Sequence, residues 1–382
     1  MNNLYHPTGH EIKIPNIISG QGSYVFDDQG RRYMDLESGV WCLSLGHNHK
    51  RVNAAINEQL RTISHTGFCY ASSITDQAAG ALLEQFALPG GRCIFLSSGS
   101  EAIELARSMA THLTGCRKTM ALHDSYLGAY SSLREREVDW HLVNWSGLDD
   151  TKTDQRNAQE CNLLGAVPTS INAFIFEPGS ASGAVRFPPK QLIHELASRV
   201  RSQGGLLIAN EVTTGFGRTG RWLGCDHYDL SPDIIVLGKG IGNGYPVSAV
   251  LMSGSVADAL AERPLQYSQS HQNDPLGAAV VSAVLHELRQ QGLVQRSRET
   301  GRRIEAWLQE MVDGTVVQDV RGRGAMFAVD LIDAERAASL HRALLDAGYI
   351  VGLRGRSLRI DPPLIVSLSE MRGFAERLAQ LI

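Results

Sequence analysis

The segment 171–210 constrains the fold more than any other part of the chain. INAFIF (171–176) and GLLIAN (205–210) are short, continuously apolar runs bounded by turn residues, the pattern of strands buried on both faces of a parallel sheet. Between them, PPKQLIHELASRVRSQGG places Leu192, Ile193, Leu196 and Val200 on one helical face. Pro188 and Pro189 open that helix and Gly204 closes it. Strand, helix, strand in this order is a βαβ unit with a right-handed crossover. The expected class is therefore α/β, with a doubly wound, mostly parallel sheet in a large domain.

Other segments extend the pattern. DIIVLG (233–238) is a further apolar strand that runs directly into Lys239. CIFL (93–96) is followed by SSGSEA and by a helix carrying Ile103, Ala106, Ala110 and Leu113 on one face. YVFDDQGRRYMDL reads as a hairpin turning at Asp28-Gln29-Gly30. Toward the C-terminus helices dominate, with GAMFAVDL (324–331) and SLRIDPPL (357–364) as strands, so a smaller α+β domain after the doubly wound one is expected. The expected boundaries are an N-terminal segment 1–48 packing with the small domain, a large domain 49–285 and a small domain 286–382.

Composition narrows the function. With 382 residues the chain is long enough for two or three domains and a large core. A formal net charge of −4 gives no basic surplus for nucleic acid. No run of 18 apolar residues suggests a membrane span, and MNNLYHPTGHEIKIP lacks the basic-then-apolar order of a signal peptide, so a cytoplasmic protein is expected. Cys42, Cys69, Cys93, Cys116, Cys161 and Cys225 are scattered without C-x-x-C spacing, which points to reduced thiols rather than a disulfide framework or a zinc site. His47 and His49 sit in a Gly-His-Asn-His turn with no acidic neighbour in sequence and read as polar loop histidines, so no metal is expected.

Three segments carry chemistry. Ser98-x-x-Glu101 is a capping box, which starts a helix near Gly99 and leaves the N–H groups of Gly99 and Ser100 at its positive end, either a cap that serves the helix alone or a phosphate-binding arrangement. Lys239 ends a buried strand and precedes the Gly-rich GIGNGYP. Either this lysine snorkels out of a loop, or desolvation lowers its amine pKa and favours the neutral form that condenses with a carbonyl. In IANEVTTGFGRTG (208–220), Asn210 and Val212 fall on one side of a strand by period two, and the following glycines permit a sharp turn.

In the order SSGSEA, HDSYLGA, FIFEPGSASG, LLIANEVTTGFGRTG, SPDIIVLGKGIGNGYP, these segments resemble the class III aminotransferases, pyridoxal-phosphate (PLP) enzymes of fold type I. The resemblance runs from YVFDDQGRRYMDLESGV and LGHNHKRVNAAINEQL to RGRGAMFAVDL and LRIDPPL. It implies that Lys239 holds the cofactor as an aldimine and later shuttles a proton. It implies that Ser98, Gly99 and Ser100 hold the phosphate, that Tyr126 and Val212 lie on the two faces of the ring, and that Glu177 lies near its phenolic side. Ser270 stands where a threonine reaches the phosphate from a neighbouring subunit, which implies a homodimer with shared sites. Trp41 and Tyr70 fall in segments that line the substrate pocket. The implied reaction is ping-pong transfer of an amino group between an amino acid or amine donor and an oxo-acid acceptor.

Two departures stand out. Asn210 replaces the aspartate that pairs with the protonated pyridine nitrogen. Losing such a preorganised partner costs about 3–4 kcal/mol, or about 10²–10³ in rate, by analogy with oxyanion donors. That leaves open a slowed transaminase, a racemase, decarboxylase or eliminase on the same scaffold, and a catalytically silent PLP-binding protein. Ser182 stands where some members place a glutamate that pairs with the arginine of R-x-x-P-P. Arg359 is therefore expected to be unpaired and free for a substrate carboxylate, with Arg354 and Arg356 as competitors. Lys50, where a proline is usual, and the compact stretch 131–170 suggest altered loops.

Overall fold

The computed structural model describes residues 3–7, 12–130, 139–146, 148, 162–180, 182 and 185–382. Cys161 and part of the stretch 131–170 lie outside the described residues. The chain opens with a meander, β1 (Ile17–Gln21), β2 (Tyr24–Asp27) and β3 (Arg32–Asp35). The Asp27 carboxylate accepts the N–H groups of Gln29 (3.0 Å) and Arg31 (2.8 Å), fixing the expected hairpin turn. Helices α1 (Lys50–Thr62) and α2 (Ser73–Gln85) then lead into the central sheet.

Among the described residues that sheet has seven strands: β4 (Arg92–Leu96), β5 (Thr119–Leu122), β6 (Trp140–Val143), β7 (Ala173–Phe176), β8 (Leu206–Asn210), β9 (Ile234–Leu237) and β10 (Ser248–Met252). Their order is β4-β10-β9-β8-β7-β5-β6, all parallel except β10, which is antiparallel to both of its neighbours. Helices α3 (Gly99–Thr114) and α4 (Lys190–Ser202) cover opposite faces. Ile175, Ile208 and Val236 pack with Ile103 and Ala106 of α3 on one side. Phe174, Phe176 and Leu207 pack with Leu192, Ile193 and Leu196 of α4 on the other. Strands covered on both faces have no polar side to present, which is why the sequence shows runs rather than alternation. Pro189 is the N-cap of α4, so the helix starts at Lys190, after the proline pair rather than within it.

Three helices in succession, α5 (Gly254–Glu262), α6 (Pro275–Gln290) and α7 (Leu293–Gln309), precede the strand pair β11 (Val317–Arg323) and β12 (Met326–Leu331), and α8 (Ala334–Asp346) follows it. The chain ends in β13 (Tyr349–Ile350), β14 (Gly352–Arg354), β15 (Ser357–Ile360) and α9 (Leu368–Leu381). β15 stops before Pro362-Pro363, which cannot donate to a ladder. β13 pairs in parallel with β3, and Met34 and Leu36 join Ile304, Phe327, Leu344 and Phe374 in one core, so both chain ends share a hydrophobic cluster. Among the described residues no helix is long and apolar enough to cross a membrane.

The two parts meet at GFGRTG. Arg218 is fully buried and donates to the carbonyls of Ala325 (3.0 Å) and Pro362 (2.5 Å). A Cβ on Gly324 would lie 2.3 Å from the Gly220 nitrogen, so these loops touch backbone to backbone and only glycine fits there.

Candidate active site

Lys239 follows Gly238 directly after β9, in the left-handed region (φ +46). A non-glycine residue is held in that region only when its surroundings over-determine it. Its Nζ donates to Thr213 Oγ1 at 3.0 Å and lies 5.0 Å from the Trp41 ring centroid and 5.7 Å from that of Tyr126. Burial lowers its pKa, with Arg359 acting in the same direction, while the charges of Glu177 and Cys42 oppose the shift. The outcome is an amine biased toward its neutral, nucleophilic form.

The expected capping box closes the start of α3. Ser98 Oγ accepts from Glu101 N (3.3 Å), and Glu101 Oε2 accepts from Ser98 N (2.8 Å) and Ser97 N (3.0 Å). The Gly99 and Ser100 N–H groups sit in the first turn, where no intrahelical acceptor exists. A Cβ on Gly99 would approach Val212 Cγ1 to 2.7 Å, and one on Gly238 would approach it to 3.2 Å. Gly99, Val212 and the residue before Lys239 therefore form one close-packed wall, which a side chain at position 99 would fill.

Asn210 ends β8 and is buried. Its Nδ2 donates to the Tyr126 carbonyl (2.9 Å) and its Oδ1 accepts from Val212 N (3.4 Å). Glu177, also buried, accepts from Tyr126 N (2.8 Å), so the Tyr126 backbone is held from both sides. Val212 lies in the turn beyond β8, not on the strand, which corrects the period-two reading. What brings it to the site is the turn itself. Glu211 is buried, and its carboxylate accepts from Thr214 Oγ1, Gly224 N and Cys225 N, each at 2.7 Å.

Trp41 is presented by an unusual turn. Ser38, Gly39, Val40 and Trp41 all have positive φ (49, 54, 59 and 64), and the Asp35 carboxylate braces the turn through Glu37 N (3.0 Å) and Gly39 N (2.9 Å). The Trp41 ring adjoins both basic groups: Arg359 Cζ is 4.3 Å from its centroid, and Lys239 Nζ is at the 5.0 Å already given. Arg359 does not stand unpaired as the sequence suggests, because Glu37 Oε1 lies 3.5 Å from its Nη2. Ser182 instead donates to the Asp124 carbonyl (2.6 Å). Arg354 is exposed, and Arg356 reaches Asp330 (3.5 Å), so of the three arginines Arg359 adjoins Trp41 and Lys239.

Some expected residues stand apart in the single chain. Tyr70 is 75% exposed and lines a separate cavity of about 370 Å³ with Phe68 and Cys69. Ser270 is exposed, but its neighbour Gln269 donates to Ser97 Oγ (3.2 Å) and Glu101 Oε1 (3.1 Å), which ties its loop to the start of α3. His47 and His49 do have acidic partners, supplied by distant segments: Asp35 at 2.8 Å and Glu287 at 3.7 Å. Thr213, Glu37 and Asp361 were not singled out from the sequence. Only proximity across strand ends reveals Thr213. Asp361 follows the R-x-x-P-P arginine by two, and burial pushes it up to about 7 against the pull of Arg218 and Arg359.

Residues 5–133 and 144–382 match the family model for aminotransferase class-III. The chain belongs to this family. It is 32% identical over 386 residues to a protein named acetylornithine aminotransferase from Methanopyrus kandleri, covering 99% of this chain and 97% of that one. An amine transaminase from an uncultivated Pseudomonas species, solved in its PLP-bound internal aldimine form, superposes with a TM-score of 0.90 at 27% identity, over 100% and 98% of the two chains. The ornithine aminotransferase of Toxoplasma gondii ME49 superposes at 0.87 and 26%, over 99% and 92%. The fold is fold type I, and the chain is a PLP-dependent transaminase of class III. The racemase, decarboxylase, eliminase and silent readings are not favoured. The residues present fit PLP: a depressed lysine, a free helix N-terminus and a glycine whose Cβ would fill the wall between them.

Proposed function

We propose that the enzyme exchanges an amino group between an ω-amino donor of the ornithine or acetylornithine kind and a 2-oxo acid, at a site centred on Lys239. The observation that carries this reading is the position of Lys239 Nζ, 3.0 Å from Thr213 and beside the wall of Gly99, Val212 and Gly238. The relatives named above supply the donor class.

PLP supplies a ring that withdraws the electron pair released when the substrate C–H bond breaks. Lys239 would hold the cofactor through Nζ, and its amine, biased toward the neutral form, would serve as the base that takes and returns the substrate's proton. Gly99 and Ser100 hold the phosphate through backbone N–H groups, with Ser98 fixing the turn. Tyr126, Val212 and Glu177 would be the side chains that hold and orient the cofactor ring. Asn210, whose Nδ2 is committed to the Tyr126 carbonyl, would have Oδ1 left to accept from the cofactor. Trp41 shapes the substrate pocket. Arg359 binds the oxo acid's carboxylate, with Glu37 neutralising it when no carboxylate is present.

We further propose a cytoplasmic homodimer in which Ser270 and Tyr70 complete the neighbouring site. Exposed Leu60, Phe68 and Tyr70 support an apolar contact surface. Sedimentation equilibrium tests this, with a monomer as the contrary result. A donor–acceptor screen followed by cofactor absorbance tests the reaction. Acetylornithine or ornithine should convert the cofactor band in wild type and leave it unchanged in Lys239→Ala. Conversion by α-amino donors alone would reject the ω-amino reading.

A further inference from the structure

The geometry points to a second site, for a divalent transition metal, formed by His65, His271 and Asp274. His65 lies in the loop after α1, and the other two lie in the loop that leads into α6. His271 Nδ1 is 3.2 Å and His65 Nδ1 is 3.7 Å from the same oxygen, Asp274 Oδ2. The two imidazole centroids are 4.7 Å apart, and the ligand atoms of all three residues lie within 4.8 Å of one another. Zn–N and Zn–O bonds of about 2.0–2.2 Å at a tetrahedral angle place ligand atoms about 3.3–3.6 Å apart, so the cluster needs only small side-chain rotations to bind.

A second observation concerns Asp274. It occupies the N-cap of α6, where an aspartate ordinarily accepts a backbone N–H, yet it makes no side-chain cap bond. Its Oδ2 turns to the imidazoles, and its Oδ1 is buried with no hydrogen-bond partner. A cation bound by both carboxylate oxygens would give Oδ1 the partner that the helix and solvent leave it without. Two imidazoles with one carboxylate favour zinc-like ions over magnesium or calcium, which require oxygen ligands, and three protein ligands leave one coordination position open.

None of the three residues takes part in the proposed reaction. Bound metal would tie the loop after α1 to the 269–274 loop. The latter is already fastened to β4 by Asn273, whose Oδ1 accepts from Phe95 N (3.0 Å).

The test is Co²⁺ titration of chelator-treated holoenzyme, with bound metal counted by elemental analysis after desalting and read by visible absorption. Wild type should retain one Co²⁺ per chain with ligand-field bands of low coordination number. The His65→Ala/His271→Ala variant should bind at least about tenfold more weakly, with unchanged far-UV circular dichroism. Asp274→Asn, which keeps both rings, should also lose affinity. No retained Co²⁺ in wild type, or equal retention in the double variant, would overturn the site.

Discussion

Arg359 adjoins both Trp41 and Glu37, so in its proposed role its charge is already compensated before a substrate carboxylate arrives. Burial raises the Glu37 pKa even against the attraction of Arg359, which makes its carboxylate a counter-ion held at some cost and readily exchanged. Arg359→Ala should therefore lower kcat/KM for an oxo acid about 10²-fold, the size of a lost charge-assisted hydrogen-bond pair. Glu37→Gln should lower KM for the same oxo acid, because the guanidinium no longer has a competitor. Steady-state kinetics check both, and equal effects of the two substitutions would contradict the pairing. Asn210 gives a sharper case. Its Nδ2 donates to the Tyr126 carbonyl, so an aspartate would set oxygen against oxygen in a buried place. Asn210→Asp should lower stability by about 1–3 kcal/mol, read as a reduced urea midpoint. An unchanged midpoint would show that the amide does not make this bond. The sequence reveals the substitution, but the acceptor, 84 positions earlier in the chain, is visible only in the fold.

At the scale of elements, three pieces converge on the cofactor site: the end of β8, the end of β9 and the start of α3. The strands were legible because burial on both faces writes itself as continuous apolar runs. The α3 start was legible because its cap is local chemistry. What escaped was anything built by a turn. Val212 reaches the site because the Glu211 carboxylate folds the chain back beyond β8, and no periodicity encodes that. Trp41 depends on a left-handed run of four residues, which the sequence marks only by Gly39. Gly99→Ala should weaken PLP binding about tenfold or more, since overpacking of about 1–3 kcal/mol acts directly on the wall. Adding Val212→Ala should restore part of that affinity in a cofactor titration. No restoration would mean that the contact with Val212 is not the cause.

For the whole molecule, buried titratable groups tie stability to pH, and two of them act in opposite directions. Burial raises Asp361 from 3.8 to about 7. Between those values the native state keeps a proton that the unfolded chain has released, so this contribution falls as pH rises. Burial, aided by Arg323, lowers His227 from 6.5 to about 4. Between about pH 4 and 6.5 the unfolded chain binds the extra proton, so that contribution rises with pH. The stability difference between wild type and Asp361→Asn should therefore shrink from pH 4 to pH 7. The difference between wild type and His227→Gln should grow from pH 4 to 6.5. Urea melts across the range measure both, and a flat difference for either would remove that group from the account. Lys239 stands at the centre of the proposed site. Borohydride reduction of the PLP-loaded enzyme, followed by digestion and peptide mass mapping, tests that centre directly. The cofactor-derived mass should appear on the peptide containing Lys239. Its appearance on another lysine, or on none, would contradict the account.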